Sequence, residues 1–578
     1  MSESTKINFA LCWHMHQPWY QSGIGGDYQL PWVYLHAIKD YSDMAAHLEA
    51  HPGMKVTVNF APVLLEQLDD YAQQLQQWLA NGSRMRDPLL NLLADVSPIP
   101  AGIDDRCELL RECQRANAEK MIEPYAGFRK LLQPLKAMFS GEEKIARDKT
   151  FLKYLDTQYF IDILMWYHLA WLGHALKQTK TARRLIEKEA LFDSDDRREL
   201  ITLMHDCIAG LIPRYRKLAE SGQIELSMTP YGHPIIPLLN DFANMRCAQP
   251  DDAGPEYTAY PGGMERSRWH IQTGIECMQR HFGMRPVGIW LSEGAISEDA
   301  IALVQEFGFK WTASGEAVWD NSLQLSGKGK SKGHAASKRA LYHSYQLKSY
   351  TPKIFFRDDG MSDLIGFEYG RRNSVEAAEE LVQNLENIAN FLGDRAYRHV
   401  VTIILDGENA WEYYPHNGHY FLQHLYASLA EHKQIQTTCF SELTELPICH
   451  DLDELCAGSW VYGSHSTWIG HPDKNRAWEL LTRAKYAYDQ VVAAGSLDES
   501  TMALATRQLA SAEGSDWFWW FGDSNPSASV SDFDKLFRTQ LRQLYEILGQ
   551  PAPDDLDIPV SQGGSDTAAN AGTMVRNV

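Results

Sequence analysis

A chain of 578 residues with 44% hydrophobic content exceeds one ordinary folding unit and can fill a large core plus a satellite domain, which excludes general disorder. A formal charge of −21 repels phosphate backbones and anionic lipid, so nucleic acid and membranes are poor partners while a neutral substrate is tolerated. The start, MSESTKINFALCWHMHQP, lacks a basic stretch followed by an apolar run, and nowhere do about 18 apolar residues run together, so a cytoplasmic location is expected.

Taken in chain order, the first apolar run covers residues 6–13 and the second 55–60. About 160 residues of helical periodicity follow, including DTQYFIDILMWYHLAWLGHALKQ, which predicts a helical insertion at about 62–220. Further runs cover 223–229, 287–292, 309–313, 352–357 and 400–405, each followed by a polar or glycine-containing turn and mostly by a helical pattern. That alternation predicts an α/β fold with a parallel barrel occupying residues 1–450. The segment 324–340, rich in Gly, Ser and Lys, reads as a mobile surface loop. KNRAWELLTRAKYAYDQVVAAG and FDKLFRTQLRQLYEILG predict a C-terminal helical bundle over 451–550, and 551–578 reads as a disordered tail. Nine cysteines lack metal-site spacing and are expected to be reduced core thiols.

In an α/β barrel the chemistry sits at the C-terminal strand ends, and polar residues concentrate there. The first run ends in Trp13-His14-Met15-His16-Gln17-Pro18, and the third in Thr229-Pro230-Tyr231-Gly232-His233-Pro234. The fourth ends in Trp290-Leu291-Ser292-Glu293, the sixth in Arg357-Asp358-Asp359, and the seventh in Asp406-Gly407-Glu408-Asn409-Ala410-Trp411. The chain also carries 17 tryptophans and 26 tyrosines, many beside polar residues. Flat aromatics stack on the C–H faces of sugars, whose hydroxyls need polar rims, so the mixture points to a carbohydrate groove.

The ordered set HMHQP, GQIELSMTPYGHPIIPLL, WLSEGAIS, ILDGENAWEYYP and EGSDWFWWFGD resembles the five signature regions of glycoside hydrolase family 57, from residue 6 to about 523. The resemblance implies an incomplete seven-stranded (β/α) barrel followed by a helical domain, acting on α-glucan or maltooligosaccharide with retention of configuration and no cofactor. It places the nucleophile at Glu293 and the acid/base at Asp406. Retaining hydrolysis needs two carboxyls roughly 5–5.5 Å apart, one ionised and one protonated. Burial at the end of the apolar run VVTIIL would raise the pKa of the carboxyl that must keep its proton. Glu408 is expected to support Asp406 through hydrogen bonds, and Glu225, Glu265, Asp358, Asp359 and Asp516 are weaker rivals as catalysts. His14, His16, Gln17, His233, Trp290, Asp358, Glu408, Trp411, Asp516 and Trp517 are the expected substrate-binding residues.

Three alternatives stand beside this reading. His14 and His16, spaced i,i+2 on a strand, can chelate zinc with His233 or Asp406, as in polysaccharide deacetylases on a similar barrel. The aromatics suit a glucan-binding module without turnover. The same double displacement also serves a 4-α-glucanotransferase or a branching enzyme, and cleavage of α-1,6 bonds stays open beside α-1,4.

Overall fold

The computed structural model describes residues 6–135, 149–327, 334–445 and 449–564. The strands among them are β1 (Ile7–Met15), β2 (Val56–Phe60), β3 (Ile224–Met228), β4 (Trp311–Gly315), β5 (Ser344–Leu347), β6 (Lys353–Arg357), β7 (Val400–Asp406), β8 (Ile435–Thr437) and β9 (Cys449–Leu452). The main sheet is parallel in the order β3-β2-β1-β7, with β8 beside the start of β1. Almost every residue of β1, β2, β3 and β7 is buried, as expected for parallel strands covered on both faces.

β4 and β6 pair in parallel, and β6 leads back to β7 through the Asp358 amide, which donates to the Thr402 carbonyl at 2.8 Å. The run expected as a strand over 287–292 forms only single bridges, Met228 with Ile289 and Gly288 with Trp311. It is a short stave because the Trp311 indole fills the space where a Cβ on Gly288 would lie, and the backbone turns away at Ser292. The other six expected runs coincide with β1, β2, β3, β4, β6 and β7. The three unexpected strands, β5, β8 and β9, have only three or four residues, too few to show a period.

Helices fill the interval between β2 and β3, among them Pro62–Asn81, Thr157–Trp171 and Ser194–Glu220. Asp193 and Asp196 form a capping box that starts the last of these. Beyond β9 the helices Pro472–Ala494, Glu499–Ala512, Ser515–Trp520 and Ser527–Ile547 pack together, with Trp520 stacked on Phe533.

Three local expectations are corrected. Residues 551–564, expected in a disordered tail, pack on the bundle, where Asp534 accepts from the Val560 amide at 2.6 Å and Val560 is buried; residues 565–578 lie outside the described residues. The loop expected at 324–340 begins inside the helix Glu316–Leu325 and ends in the helix His334–Leu341, with 328–333 outside the described residues. Cys247 is exposed and Cys449 half-buried, so they are not core thiols, whereas the other seven cysteines are buried.

The bundle is docked on the helix Gly263–Phe282 and the residues just before it by a buried ionic knot. Glu513, fully buried at the end of Glu499–Ala512, receives two N–H groups of Arg266 at 2.7 and 2.9 Å, the Tyr260 hydroxyl at 2.6 Å and His270 Nε2 at 2.7 Å. Burial raises the Glu513 pKa, but the Arg266 charge and the His270 hydrogen bond outweigh it and hold the carboxyl down at about 2. Glu513→Gln leaves Arg266 buried without its counter-charge and should cost about 3–5 kcal/mol in urea unfolding. Because the folded pKa lies below the unfolded value of about 4.3, the Glu513 contribution is present at neutral pH. It should fade between about pH 4 and pH 2 in the parent and be missing from the pH dependence of the variant.

Candidate active site

Strand register lays the site out before any turn is considered. His14 on β1 stands opposite Asn59 on β2 and Asp406 on β7, and Asn59 stands opposite Ser227 on β3. These four lie in one row near the C-terminal strand ends, and His16, two residues on, extends from the same side. Glu293 arrives from the stave at 287–290, where the backbone makes a single turn at Ser292–Gly294. Its own φ is 59° and that of His233 is 58°, left-handed values that non-glycine residues rarely adopt. Such conformations cost about 1–3 kcal/mol each and persist only where packing dictates them. At Gly294 (φ 56°) a Cβ would lie 2.6 Å from the Trp290 ring, so glycine is required there.

A hydrogen-bonded chain runs through the histidines. Asn59 Oδ1 accepts from Thr229 at 2.8 Å and from His14 Nδ1 at 2.7 Å. That fixes the tautomers further along: His233 Nε2 donates to His14 Nε2 at 3.2 Å, and the Ser515 hydroxyl donates to His233 Nδ1 at 2.8 Å. Burial lowers the pKa of His14 to about 3 and that of His233 well below the usual histidine range, so both are neutral at pH 7. His16 stacks on His233 with ring centroids 3.7 Å apart and meets Asp516 Oδ1 at 2.9 Å.

Each of these histidines offers a nitrogen within 4.8 Å of the others, the spacing of a metal site. Their rings, however, lie nearly parallel, with interplanar angles of 14°, 15° and 18°. His14 Nε2 and His233 Nε2 are directed at each other in the hydrogen-bonded chain.

The carboxyls are held in a low-dielectric pocket. Burial raises the pKa of Glu293 to about 8, with the Asp406 charge adding to the effect, while Trp460 Nε1 donates to its Oε2 at 3.0 Å and opposes it. Burial also raises Asp406, to about 6, against an Asn409 amide that donates at 2.6 Å and the positive charge of Arg357. Arg357 lies over the Trp460 ring, 4.7 Å from its centroid. Glu408 is raised well above its ordinary range by burial and the Asp406 charge; its Oε1 accepts from Gln17 at 3.2 Å, and its Oε2 makes no hydrogen bond among the described residues.

Glu293 and Asp406 face a cavity of about 60 Å³ together with His14, His16, Gln17, Glu408 and Asp516. Asp406, Asn409 and Trp519 also border a second space of about 630 Å³, whose far wall includes Phe367 and Tyr462. Five of the residues expected to bind substrate thus share the cavity of the two carboxyls: His14, His16, Gln17, Glu408 and Asp516. The structure does not bring the other five to that wall. His233 is buried behind His14 and His16, Trp290 packs edge-on against Trp460, and Trp411 donates to the Gly407 carbonyl at 2.8 Å. Trp517 donates to the Ser511 carbonyl at 2.9 Å, and Asp358 accepts from Tyr342 at 2.8 Å and caps the turn at Asp359–Asp363. Glu225, a weaker rival, is taken up by Trp311 Nε1 at 2.7 Å and the Ser441 amide at 2.8 Å. Trp460, Ser515 and Asn409 were missed as site residues. Trp460 follows no strand and carries no periodic signal, whereas Asn409 lies inside the motif beginning at Asp406 and was legible there.

The sequence profile of glycosyl hydrolase family 57 matches residues 10–450, about three-quarters of the chain. The chain belongs to that family. It is thereby a glycoside hydrolase-type enzyme. Its fold is similar to that of a branching enzyme from Thermococcus kodakaraensis, at 15% identity and TM-score 0.55 over 94% of this chain and 90% of that one. It is similar to the α-amylase AmyC of Thermotoga maritima at 14% identity and TM-score 0.55, covering 95% of each chain. Against a 4-α-glucanotransferase from Thermococcus litoralis the values are 13% and 0.50, over 93% of this chain and 60% of that one. No helix among the described residues is long and apolar enough to cross a membrane.

Trp460 supplies a donor that favours the ionised form of Glu293, so Trp460→Phe should make Glu293 harder to ionise. The alkaline limb of the kcat/KM profile for glycoside cleavage, which in the free enzyme follows the carboxyl that is harder to ionise, should move to higher pH, and kcat/KM at neutral pH should fall roughly ten- to a hundredfold, since a hydrogen bond to a charged group contributes about 1.5–3 kcal/mol. An unmoved limb would show that the indole acts on Glu293 only through packing.

Proposed function

We propose that this family 57 enzyme hydrolyses α-1,4-glucosidic bonds of α-glucans with retention, through a covalent glycosyl-enzyme on Glu293, with Asp406 as acid/base. In this reading the staves β7, β1, β2, β3, 287–290, β4 and β6 form an incomplete barrel, with the helices between β2 and β3 as a subdomain inserted in it. The observation that carries the proposal is the convergence of two carboxyls, buried Glu293 and half-buried Asp406, on one cavity that opens beside a larger cleft.

Both carboxyls are raised by burial, so the pair holds one proton at neutral pH, and in the free enzyme Glu293 is the harder of the two to ionise. The proposed roles require the proton on Asp406. Positive charge developing at the anomeric carbon favours ionised Glu293, supported by Trp460, and leaves the proton on Asp406 to follow the departing oxygen. The sugar under attack occupies the small cavity, with its hydroxyls on His14, His16, Gln17, Glu408 and Asp516. The leaving portion lies beyond Asp406 in the larger cleft. His233, Trp290, Trp411, Trp517 and Asp358 then act by positioning those groups. Transfer to a sugar acceptor is the second reading, favoured by the aromatic lining of Phe367, Tyr462 and Trp519 on that side.

Glu293→Gln and Asp406→Asn should each lower turnover on maltooligosaccharides by several orders of magnitude with an unchanged melting temperature. Azide should give an inverted glycosyl azide with Glu293→Ala and a retained one with Asp406→Ala; exchange of these two products would exchange the roles. Exhaustive chelation should leave activity intact, and loss restored by zinc would favour the deacetylase-like alternative. Tyr462 is 71% exposed and also holds a left-handed φ of 58°, so packing presents its ring to the cleft at a backbone cost. Tyr462→Ala should raise KM for long oligosaccharides more than for short ones, and equal changes for both would remove Tyr462 from the leaving side.

A further inference from the structure

The chemistry so far leaves Cys247 and Cys456 unused. Cys247 ends the short helix Phe242–Cys247 and is exposed; Cys456 is buried just after β9, 209 positions away in sequence. Their sulfurs are in contact at 2.7 Å. Neither segment depends on that contact for its place. Asp241 caps the first through the Ala243 amide at 2.8 Å, and the Asn244 side chain donates to the Pro237 carbonyl at 2.9 Å. The Cys456 amide donates to Ser322 Oγ at 2.9 Å, and Gly458 exchanges both backbone hydrogen bonds with Ile296, at 2.9 and 3.1 Å. A further tie joins the two segments, from the His465 amide to Gln249 Oε1 at 2.9 Å.

We propose that Cys247 and Cys456 are a redox modification site, forming a reversible disulfide that fastens the segment bearing Trp460 to the short helix Phe242–Cys247. Four residues beyond Cys456, Trp460 holds Glu293 both by its indole and by its amide, which donates to the Glu293 carbonyl at 3.2 Å. The cross-link would therefore tether the backbone that presents the nucleophile.

The co-reactant is a small disulfide such as oxidised glutathione. Cys247 is the accessible partner, and donation from the Cys456 thiol together with the Ala457 amide lowers its pKa to about 7, giving thiolate at neutral pH. Its sulfur attacks the small disulfide, forming a mixed disulfide and releasing one small thiolate. Cys456 then loses its proton and attacks Cys247 Sγ, expelling the second small thiol. Two protein thiols and one small disulfide become one protein disulfide and two small thiols, and dithiothreitol reverses the exchange.

The test uses the full chain, incubated with oxidised glutathione or with dithiothreitol, unfolded in alkylating agent and mapped as peptides without reduction. The expected result is a single cross-linked peptide pair containing Cys247 and Cys456, with the other seven cysteines alkylated. Closing so long a loop should also raise the Tm of the oxidised protein by a few degrees over the reduced one, and that difference should vanish in Cys247→Ser, whose substitution lies at the surface. A glutathione adduct that stays on Cys247 without a cross-link, a cross-link to another cysteine, or an oxidation-dependent Tm rise that persists in Cys247→Ser would each overturn the proposal.

Discussion

The site depends on one buried charge pair, Glu513 with Arg266. Glu513 ends one helix of the C-terminal bundle, and the next helix begins two residues later with Ser515 and Asp516. Docking Glu513 against Arg266, His270 and Tyr260 therefore delivers Ser515 to His233 and Asp516 to His16. The approach is close enough that the backbone must be bare. A Cβ on Gly232 would lie 2.5 Å from the Ala510 carbonyl oxygen, and one on Gly514 would lie 3.0 Å from the Gly232 oxygen. The strand ends supply the carboxyls proposed to react, and the bundle supplies the groups that hold the histidines beside them.

A second constraint is electrostatic. Glu293 and Glu408 are withdrawn from water beside half-buried Asp406, and the Asp406 charge adds to burial in raising both. Neutral His14 and His233, the Asn409 amide and the Trp460 indole stabilise the arrangement without adding full positive charge. Arg357 brings a permanent cation near Asp406, and its charge is shared with Asp359 at 2.7 Å. The site consequently keeps a proton available at neutral pH, which acid catalysis at a glycosidic oxygen requires.

Backbone strain marks the same place. The left-handed conformations of His233 and Glu293 face one another across the site, with His233 Nδ1 and Glu293 Oε1 4.0 Å apart. Both are imposed by surrounding contacts. The Ser515 amide donates to the His233 carbonyl at 2.9 Å, and the Trp460 amide holds the Glu293 carbonyl. Stability gained in the core and in the Glu513 knot is thus partly spent on aiming two side chains.

The sequence by itself determined the α/β alternation, six of the strands, the helical bundle and the residues at the strand ends, because local periodicity and turn chemistry act over a few residues. His14, His16, Gln17, Asp406 and Glu408 were legible for that reason: two adjacent strands run in register and end together. Only the tertiary structure decided which of the aromatics face a cavity. Trp290, Trp411 and Trp517 read like sugar platforms in the linear chain but find their N–H acceptors or packing partners inside the protein, while Trp460 and Tyr462, outside any periodic run, reach the site. Tail residues near Val560 likewise looked too polar to order, and distant partners such as Asp534 hold them. A side chain's partner across hundreds of residues is set by how whole elements dock, and docking is settled by packing and buried charge that no short window of sequence contains.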